Sequence, residues 1–435
     1  MSLPGHSKGQ GPRFVPALLA ENGEFRTFWA GQVISLFGDQ ITLLALPLAA
    51  VLVLHADARA MGYLSAAGWV PYLLFSLHAG AWVDQRRTRR RSMIAADLGR
   101  VVLLATIPLA YRAGWLTMGY LYATAFLIGA LSVVFFVAYS TLFVSIVPRE
   151  RYVEGSAILH GSRALSFVGG PSLGGFLVQV FSAPAALAAD ALSFLVSAFC
   201  LARISPSKPP AEPRGEGTVI AGARFIMHSP FARAALAATS TVNFFNFAFS
   251  ALFVLYATQT LRVQPGILGL VLGTGAVGAV LGSIVTGRLV GRLGFGPTFM
   301  LGCVLFPLPL VLVPLAGGPA PLVLACLLAA RFGSGLGVMI LDISYGSMSA
   351  ALVPARLRAR VSGAYSLVNN GIRPLGSVVG GLLGAAIGLR PTLWVATIGA
   401  VAGILWLIPS PMPRLRTLDE LTGDRRRGEP GDAHL

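Results

Sequence analysis

Gly169-Gly170-Pro171-Ser172-Leu173-Gly174-Gly175 stands inside a long apolar run, and the way it is read decides the fold. In water, glycine and proline at this density would break a helix. In a membrane no solvent competes for the backbone, and small residues let neighbouring helices approach closely, so the same stretch reads as a kinkable, close-packing helix face.

Composition selects the membrane. The 435 residues are 55% hydrophobic and 11% charged, against the roughly 25% charged residues of soluble domains. A polytopic membrane protein is expected. Cys200, Cys303 and Cys326 lie in apolar runs without metal-ligand spacing and read as packing residues. A net charge of +16 would suggest a nucleic-acid partner in a soluble chain; here its placement in loops speaks for the lipid surface, and no nucleic acid is expected. No phosphate-binding loop, metal cluster or nucleophile constellation is found, so neither a cofactor nor enzyme chemistry is expected.

Outward from the glycine stretch, apolar segments of about 20 residues or more fall at 27–54, 61–83, 93–111, 116–147, 154–180, 184–202, 231–260, 266–287, 297–315, 320–353, 361–388 and 391–409. The expected fold is an all-α membrane protein with twelve transmembrane helices in two pseudo-symmetric six-helix bundles, 26–203 and 231–410. A polar tail (1–25) without the apolar core of a signal peptide precedes them, a tail (411–435) follows, and a Pro-rich linker (204–230) joins them. Arginine and lysine crowd into alternate connections (84–91, 148–152, 203–230, 288–294, 354–360 and the C-terminal tail), while the opposite side holds Arg59, Arg112, Arg262 and Arg390. The positive-inside rule therefore puts both termini in the cytoplasm.

The halves repeat. A shift of 206 residues lays Tyr139 on Tyr345, Pro148 on Pro354, Gly170 on Gly376, Gly174 on Gly380 and Gly175 on Gly381. Parallel repeats of this kind build transporters whose halves rock around a central site.

Two motifs carry a family resemblance over nearly the whole chain. Gly80-Ala81-Trp82-Val83-Asp84, followed by Arg86, Arg87, Arg89 and Arg90 between the second and third segments, resembles the signature loop of the major facilitator superfamily. Gly170-Pro171, two residues, then Gly174-Gly175 is similar to the fifth-helix motif of that family's antiporters. The phrases Ser35-Leu36-Phe37-Gly38-Asp39 and Asp190-Ala191-Leu192-Ser193-Phe194 resemble the branch of enterobactin and macrolide exporters. Arg87 departs from the signature, where glycine is usual, and the fourth segment lacks the arginine motif of many proton antiporters, to which Arg331-Phe332-Gly333 in the tenth is closer. The resemblance implies a bacterial inner-membrane efflux transporter, and drug resistance with it, for a drug, antibiotic or siderophore-like molecule. Alternating access in exchange for protons is implied too, by a monomer. An importer or facilitator on the same fold is the alternative, and a membrane-embedded enzyme a distant one.

Ionisable residues deep in lipid are costly and mark pathways or partners. Counted at 1.5 Å per residue from the nearest basic flank or loop, Asp39, Arg163, Arg373 and Asp342 share one level, roughly 20 Å deep. Asp39 and Asp342 are the proton-coupling candidates, since a carboxylate in a low-dielectric cavity can exchange a proton and an arginine beside it competes with that proton. Arg163, Arg373 and Arg331 are counter-charges or substrate anchors; a static ion pair that fixes packing is the alternative. Asn243 and Asn246, one turn apart beside Phe245, suit a cavity for a bulky, partly apolar substrate. At the cytoplasmic end Gly80, Asp84, Arg89, Arg90, Asp97 and Arg100 form a candidate gate. Asp84 would cap a neighbouring helix there, and Asp97 and Arg100 would be an i,i+3 pair, in the gate or solvated at the interface.

Overall fold

The computed structural model describes residues 16–85, 89–205, 219–418 and 420. Among these the regular structure is helical throughout. The helices are α1 (Ala17–Glu21), α2 (Gly23–Leu52), α3 (Ala58–Gln85), α4 (Arg89–Arg112), α5 (Met118–Ile146), α6 (Tyr152–Val180) and α7 (Ala183–Ala202), then α8 (Val219–His228), α9 (Pro230–Leu255), α10 (Pro265–Leu293), α11 (Phe295–Leu305), α12 (Leu312–Leu315), α13 (Ala320–Leu352), α14 (Arg358–Ile387) and α15 (Leu389–Val401). Eleven of the twelve apolar segments fall on one of them each, and the ninth falls on α11 and α12. Nine helical stretches among the described residues are long and apolar enough to cross a membrane. The three other long helices on apolar segments, α3, α6 and α14, run 28, 29 and 30 residues but mix glycine, proline and polar groups into the run. The count of twelve crossings therefore rests on the sequence.

Local chemistry sets the boundaries. Asn22 caps α2 by accepting the Phe25 N–H at 2.9 Å, and its amide donates to the Ile146 carbonyl at 3.1 Å, tying the start of α2 to the end of α5. The chain thus turns helical within the stretch expected to be a tail. Pro307 and Pro309 interrupt the ninth segment, which passes from α11 through a 3-10 turn over Leu308–Val311 into α12. The N-terminus of α11 is satisfied by the C-terminal tail, since Phe295 and Gly296 donate to the carbonyls of Arg416 and Leu415 at 3.0 and 2.8 Å. Part of the expected linker is also ordered: α8 lies along α14, where a Cβ on Gly222 would stand 2.2 Å from the Arg360 carbonyl oxygen. Ile226 there is buried with Val353, Val361 and Ala364. Residues 206–218 of that linker lie outside the described residues.

The opening glycines have distinct jobs. A Cβ on Gly170 would meet the Gln40 side chain at 2.5 Å, and one on Gly174 would meet Ile41 Cα at 3.0 Å, so this edge of α6 lies directly on α2. Gly175 turns the other way: a Cβ there would stand 2.3 Å from the Pro265 carbonyl oxygen and 3.0 Å from Gly269 Cα in α10. The repeat partners reproduce the division. Gly376 and Gly380 lie against Phe244 and Ala248 of α9, and Gly381 lies 2.8 Å, measured from its missing Cβ, from Gly62 Cα of α3. Two seams result, α6 with α10 and α3 with α14, and these join the N-terminal half to the C-terminal half.

Both seams are tight at the same end, where α3 and α10 begin and α6 and α14 finish. Across the first, the Gly266 N–H donates to Gln179 Oε1 at 2.9 Å. Across the second, the Ser65 and Ser377 hydroxyls are hydrogen-bonded at 2.9 Å. Toward the opposite, arginine-rich end the glycines of α6, α10 and α14 show no such approach. Gly161 of α6, Gly287 and Gly291 of α10 and Gly363 of α14 have no neighbouring helix atom within 4 Å of where a Cβ would stand. The molecule is a pair of pseudo-symmetric bundles whose two seams are in close contact at the end away from the arginine-rich connections.

Candidate functional site

Asp39 lies near the middle of α2. Gly38 packs on α7 and Gln40 and Ile41 pack on α6, which leaves Asp39 on the face those helices do not cover, and it is exposed. Arg100 and Arg163 are the cations whose charge acts on it. Arg163, on α6, is exposed as well. Asp39 and Arg163 thus lie on packed helices of one bundle without forming an ion pair.

Behind Asp39 the structure assembles a polar cluster that sequence reasoning did not gather. Asp190 on α7 is fully buried. Thr42 Oγ1 donates to its Oδ2 at 2.5 Å and Ser193 Oγ donates to its Oδ1 at 2.7 Å. The room for that carboxylate comes from Gly38, where a Cβ would stand 2.0 Å from both Asp190 Oδ1 and Ser193 Oγ. A signal for this was present in the two family-like phrases, one ending Gly38-Asp39 and the other opening Asp190-Ala191-Leu192-Ser193; they turn out to face one another.

Asp97 and Arg100 form an ion pair at 3.3 Å with side chains 0% and 4% exposed. A solvated interfacial pair is thereby excluded. The pair lies inside the N-terminal bundle, where the Arg100 guanidinium is held 4.8 Å from the ring centroids of both Phe135 in α5 and Phe194 in α7. Asp97 Oδ2, Arg100 Nε and Ser197 Oγ are buried there without a hydrogen-bond partner among the described residues.

In the C-terminal half Asp342 is exposed on α13 and Arg373 half-buried on α14, with Asp342 the first charge that acts on Arg373. The Arg373 guanidinium lies 4.5 Å from the Trp69 ring of α3 and 5.2 Å from the Phe247 ring of α9, so it stands where three helices of both halves meet. Trp69 and Phe247 touch edge to face at 5.1 Å. Asn243 donates to Asn369 Oδ1 at 2.8 Å, crossing from α9 to α14, and Asn246 is half-buried on the same helix. Phe245 is placed differently from expectation: its ring lies where a Cβ on Gly399 of α15 would be, 2.5 Å away. It packs the bundle, and Phe247 is the ring of this helix that meets Arg373. Arg331 sits under Phe253 at 5.3 Å, with Nε unpartnered among the described residues.

Of the expected gate, Arg90 donates to the Ile204 carbonyl and so anchors α4 to the end of α7. Arg89 opens α4. The side chains of Gly80 and Asp84 lie outside the described residues, as do Arg86 and Arg87.

Comparison with known proteins bears on this arrangement. The family model described as transmembrane secretion effector matches residues 17–431. The multidrug efflux pump Tap of Mycolicibacterium fortuitum is 26% identical over 406 residues, covering 88% of this chain and 94% of that protein. Macrolide efflux protein A of Streptococcus pyogenes is 28% identical over 191 residues, 41% of this chain and 44% of that one. Among solved structures, a bacterial homologue of the iron transporter ferroportin in its inward-facing state superposes with a TM-score of 0.69 at 16% identity, over 89% of this chain and 98% of that one. The shared architecture is the major facilitator fold.

Proposed function

The chain belongs to the transmembrane secretion effector family, and on that premise we propose that it is a secondary transporter exporting a small organic molecule of the drug, antibiotic or siderophore-like class in exchange for protons. The single observation that carries the reading is the asymmetry of the two seams. Glycine lets α6 and α10, and α3 and α14, touch at one end, while glycines nearer the basic end of α6, α10 and α14 face open space, an asymmetry that rocking halves would produce. The efflux functions of the drug and macrolide pumps related to the chain support the substrate class.

With both termini cytoplasmic in the bacterial inner membrane, the closed end faces outward and the state is inward-facing. Substrate enters from the cytoplasm or inner leaflet and meets Asp39, Asp342, Asn243, Asn246 and the Trp69–Phe247–Arg373 group between the halves. Asp39 and Asp342 exchange protons, and Arg163 and Arg373 compete for the carboxylates as the cavity changes sides. Arg331 is a further counter-charge or anchor. Asp84, with Gly80 and the arginines that follow, latches the cytoplasmic end when the cavity opens outward. The transporter works as a monomer in lipid.

The test is a proteoliposome assay with an internal pH dye and a panel of macrolides, siderophores and lipophilic cations. Substrate-dependent dissipation of an imposed pH gradient is expected, and Asp39→Asn should abolish it. Downhill substrate flux with no proton movement would make the protein a facilitator, and proton-driven uptake would make it an importer.

A further inference from the structure

We propose that Asp190 binds a proton within the N-terminal bundle and exchanges it with Asp39 by way of the Thr42 hydroxyl. Asp190 is 0% exposed, and an ionised carboxylate taken out of water costs several kcal/mol or more unless a cation or a full set of donors meets it. Among the described residues no arginine or lysine stands within ion-pair distance of it. Arg100 gives its ion pair to Asp97. Two hydroxyls, Thr42 and Ser193, are the partners of Asp190, against the roughly four acceptor positions a carboxylate offers. A protonated Asp190 removes the charge and supplies a donor where acceptors are already in place.

The surroundings agree from each element packed on α7. From α2 come Asp39 and Thr42, and from α4 come Asp97 and Arg100; α6 adds Arg163, which acts on Asp39. α7 itself adds Ser193 and Ser197. Three carboxylates therefore share one buried guanidinium and one exposed one. Asp97 Oδ2 and Ser197 Oγ, both buried and unpartnered among the described residues, carry the same polar cluster from Asp190 toward α4. Thr42 lies three residues from Asp39 on the same face of α2, one helical turn along. With Asp190 protonated the Thr42 bond reverses, Oδ2–H donating to Thr42 Oγ1 and the Thr42 hydroxyl turning toward Asp39. In the step the Asp190 proton passes to Thr42 Oγ1 while the Thr42 proton passes to an Asp39 carboxylate oxygen. Asp190 ends as the carboxylate, Asp39 as the acid, and the charge of the cluster is unchanged.

Infrared spectroscopy of the full chain reconstituted in lipid tests this without any substrate. Wild type should show a carbonyl stretch of a protonated carboxyl that titrates with pH. Asp190→Asn should lose that band, and Thr42→Val and Ser193→Ala should keep it at a shifted frequency. A folded Asp190→Asn that retains the band in full overturns the proposal. Should that variant not yield a monodisperse protein, the other two decide, and an unmoved band in both overturns it. The exchange partner has its own arm: Asp39→Asn should alter the pH at which the Asp190 band titrates, and no alteration overturns the exchange. The inference rests on the proton-exchange reading only for its use in transport. If the bands behave as stated while drug addition moves no proton, the Asp190 site stands and the antiport reading falls.

Discussion

Gly38 shows how one absent side chain can organise a charge cluster. Its lack of a Cβ admits the Asp190 carboxylate and the Ser193 hydroxyl against α2, and it places the neighbouring Asp39 on the uncovered face. Gly38→Ala should push both groups away and break hydrogen bonds inside a packed bundle, at about 1–3 kcal/mol. A lowered thermal unfolding temperature in detergent, together with reduced proton exchange, is the expected result. The individual ionisable residues were legible in the sequence because charge in an apolar run stands out; Asp39, Arg163, Asp342 and Arg373 were found by depth alone. Asp190 was passed over because its hydroxyl partners include one 148 residues away, Thr42, and tertiary partners leave no trace in spacing. The packing of Phe245 on α15 is hidden in the sequence for a related reason. Four phenylalanines within six residues, 244, 245, 247 and 249, cover most of a helix circumference, and composition cannot say which ring faces a cavity.

At the scale of a helix, α6 and α14 each present glycine to two neighbours, one in their own bundle and one across the divide. The two faces should respond oppositely to added bulk. Gly380 lies against Ala248, where a Cβ would stand 2.6 Å from both Cα and the carbonyl oxygen. This contact belongs to the permanent core of one half, so Gly380→Ala should destabilise the fold by about 1–3 kcal/mol. Gly175 faces Gly269 across the seam between the halves, which parts if the proposed alternating access holds. Gly175→Val should leave unfolding nearly unchanged and favour the state open at that end. Maleimide labelling of a cysteine at position 179, compared with and without the valine, should rise. Equal loss of stability in both variants would mean that the seam is as permanent as the core. The repeat of these glycines was visible in the sequence, yet the sequence did not say which glycine faces which neighbour. Pro171 breaks the symmetry, since Ser377 takes its place in α14, and that serine supplies the hydroxyl that bonds Ser65 across the divide.

For the molecule as a whole, the Ser65–Ser377 contact offers a lock. In a Ser65→Cys, Ser377→Cys double variant, mild oxidation should cross-link the halves at the closed end and stop transport, and reduction should restore it. Transport that continues in the fully cross-linked protein would rule out opening at this seam. Two bundles of apolar helices could be read from hydropathy and arginine placement, because lipid imposes its length and charge rules on every crossing. Which end is closed could not, since both states share one sequence and differ by little free energy.

The contacts named at the closed seams are uncharged. Glycine backbones, Ser65 with Ser377 and Gln179 with Gly266 make the contacts named there, whereas the open end is bordered by arginine-rich connections. Added salt screens charges over roughly 8–10 Å at 0.1–0.15 M, and neutral close packing offers it nothing to screen. Ionic strength should therefore act on this transporter mainly through the basic end, weakening or strengthening closure there and changing the neutral contacts of the other end far less. The balance between the two states becomes a function of the salt and anionic lipid on one side of the membrane, sensed without a dedicated binding site.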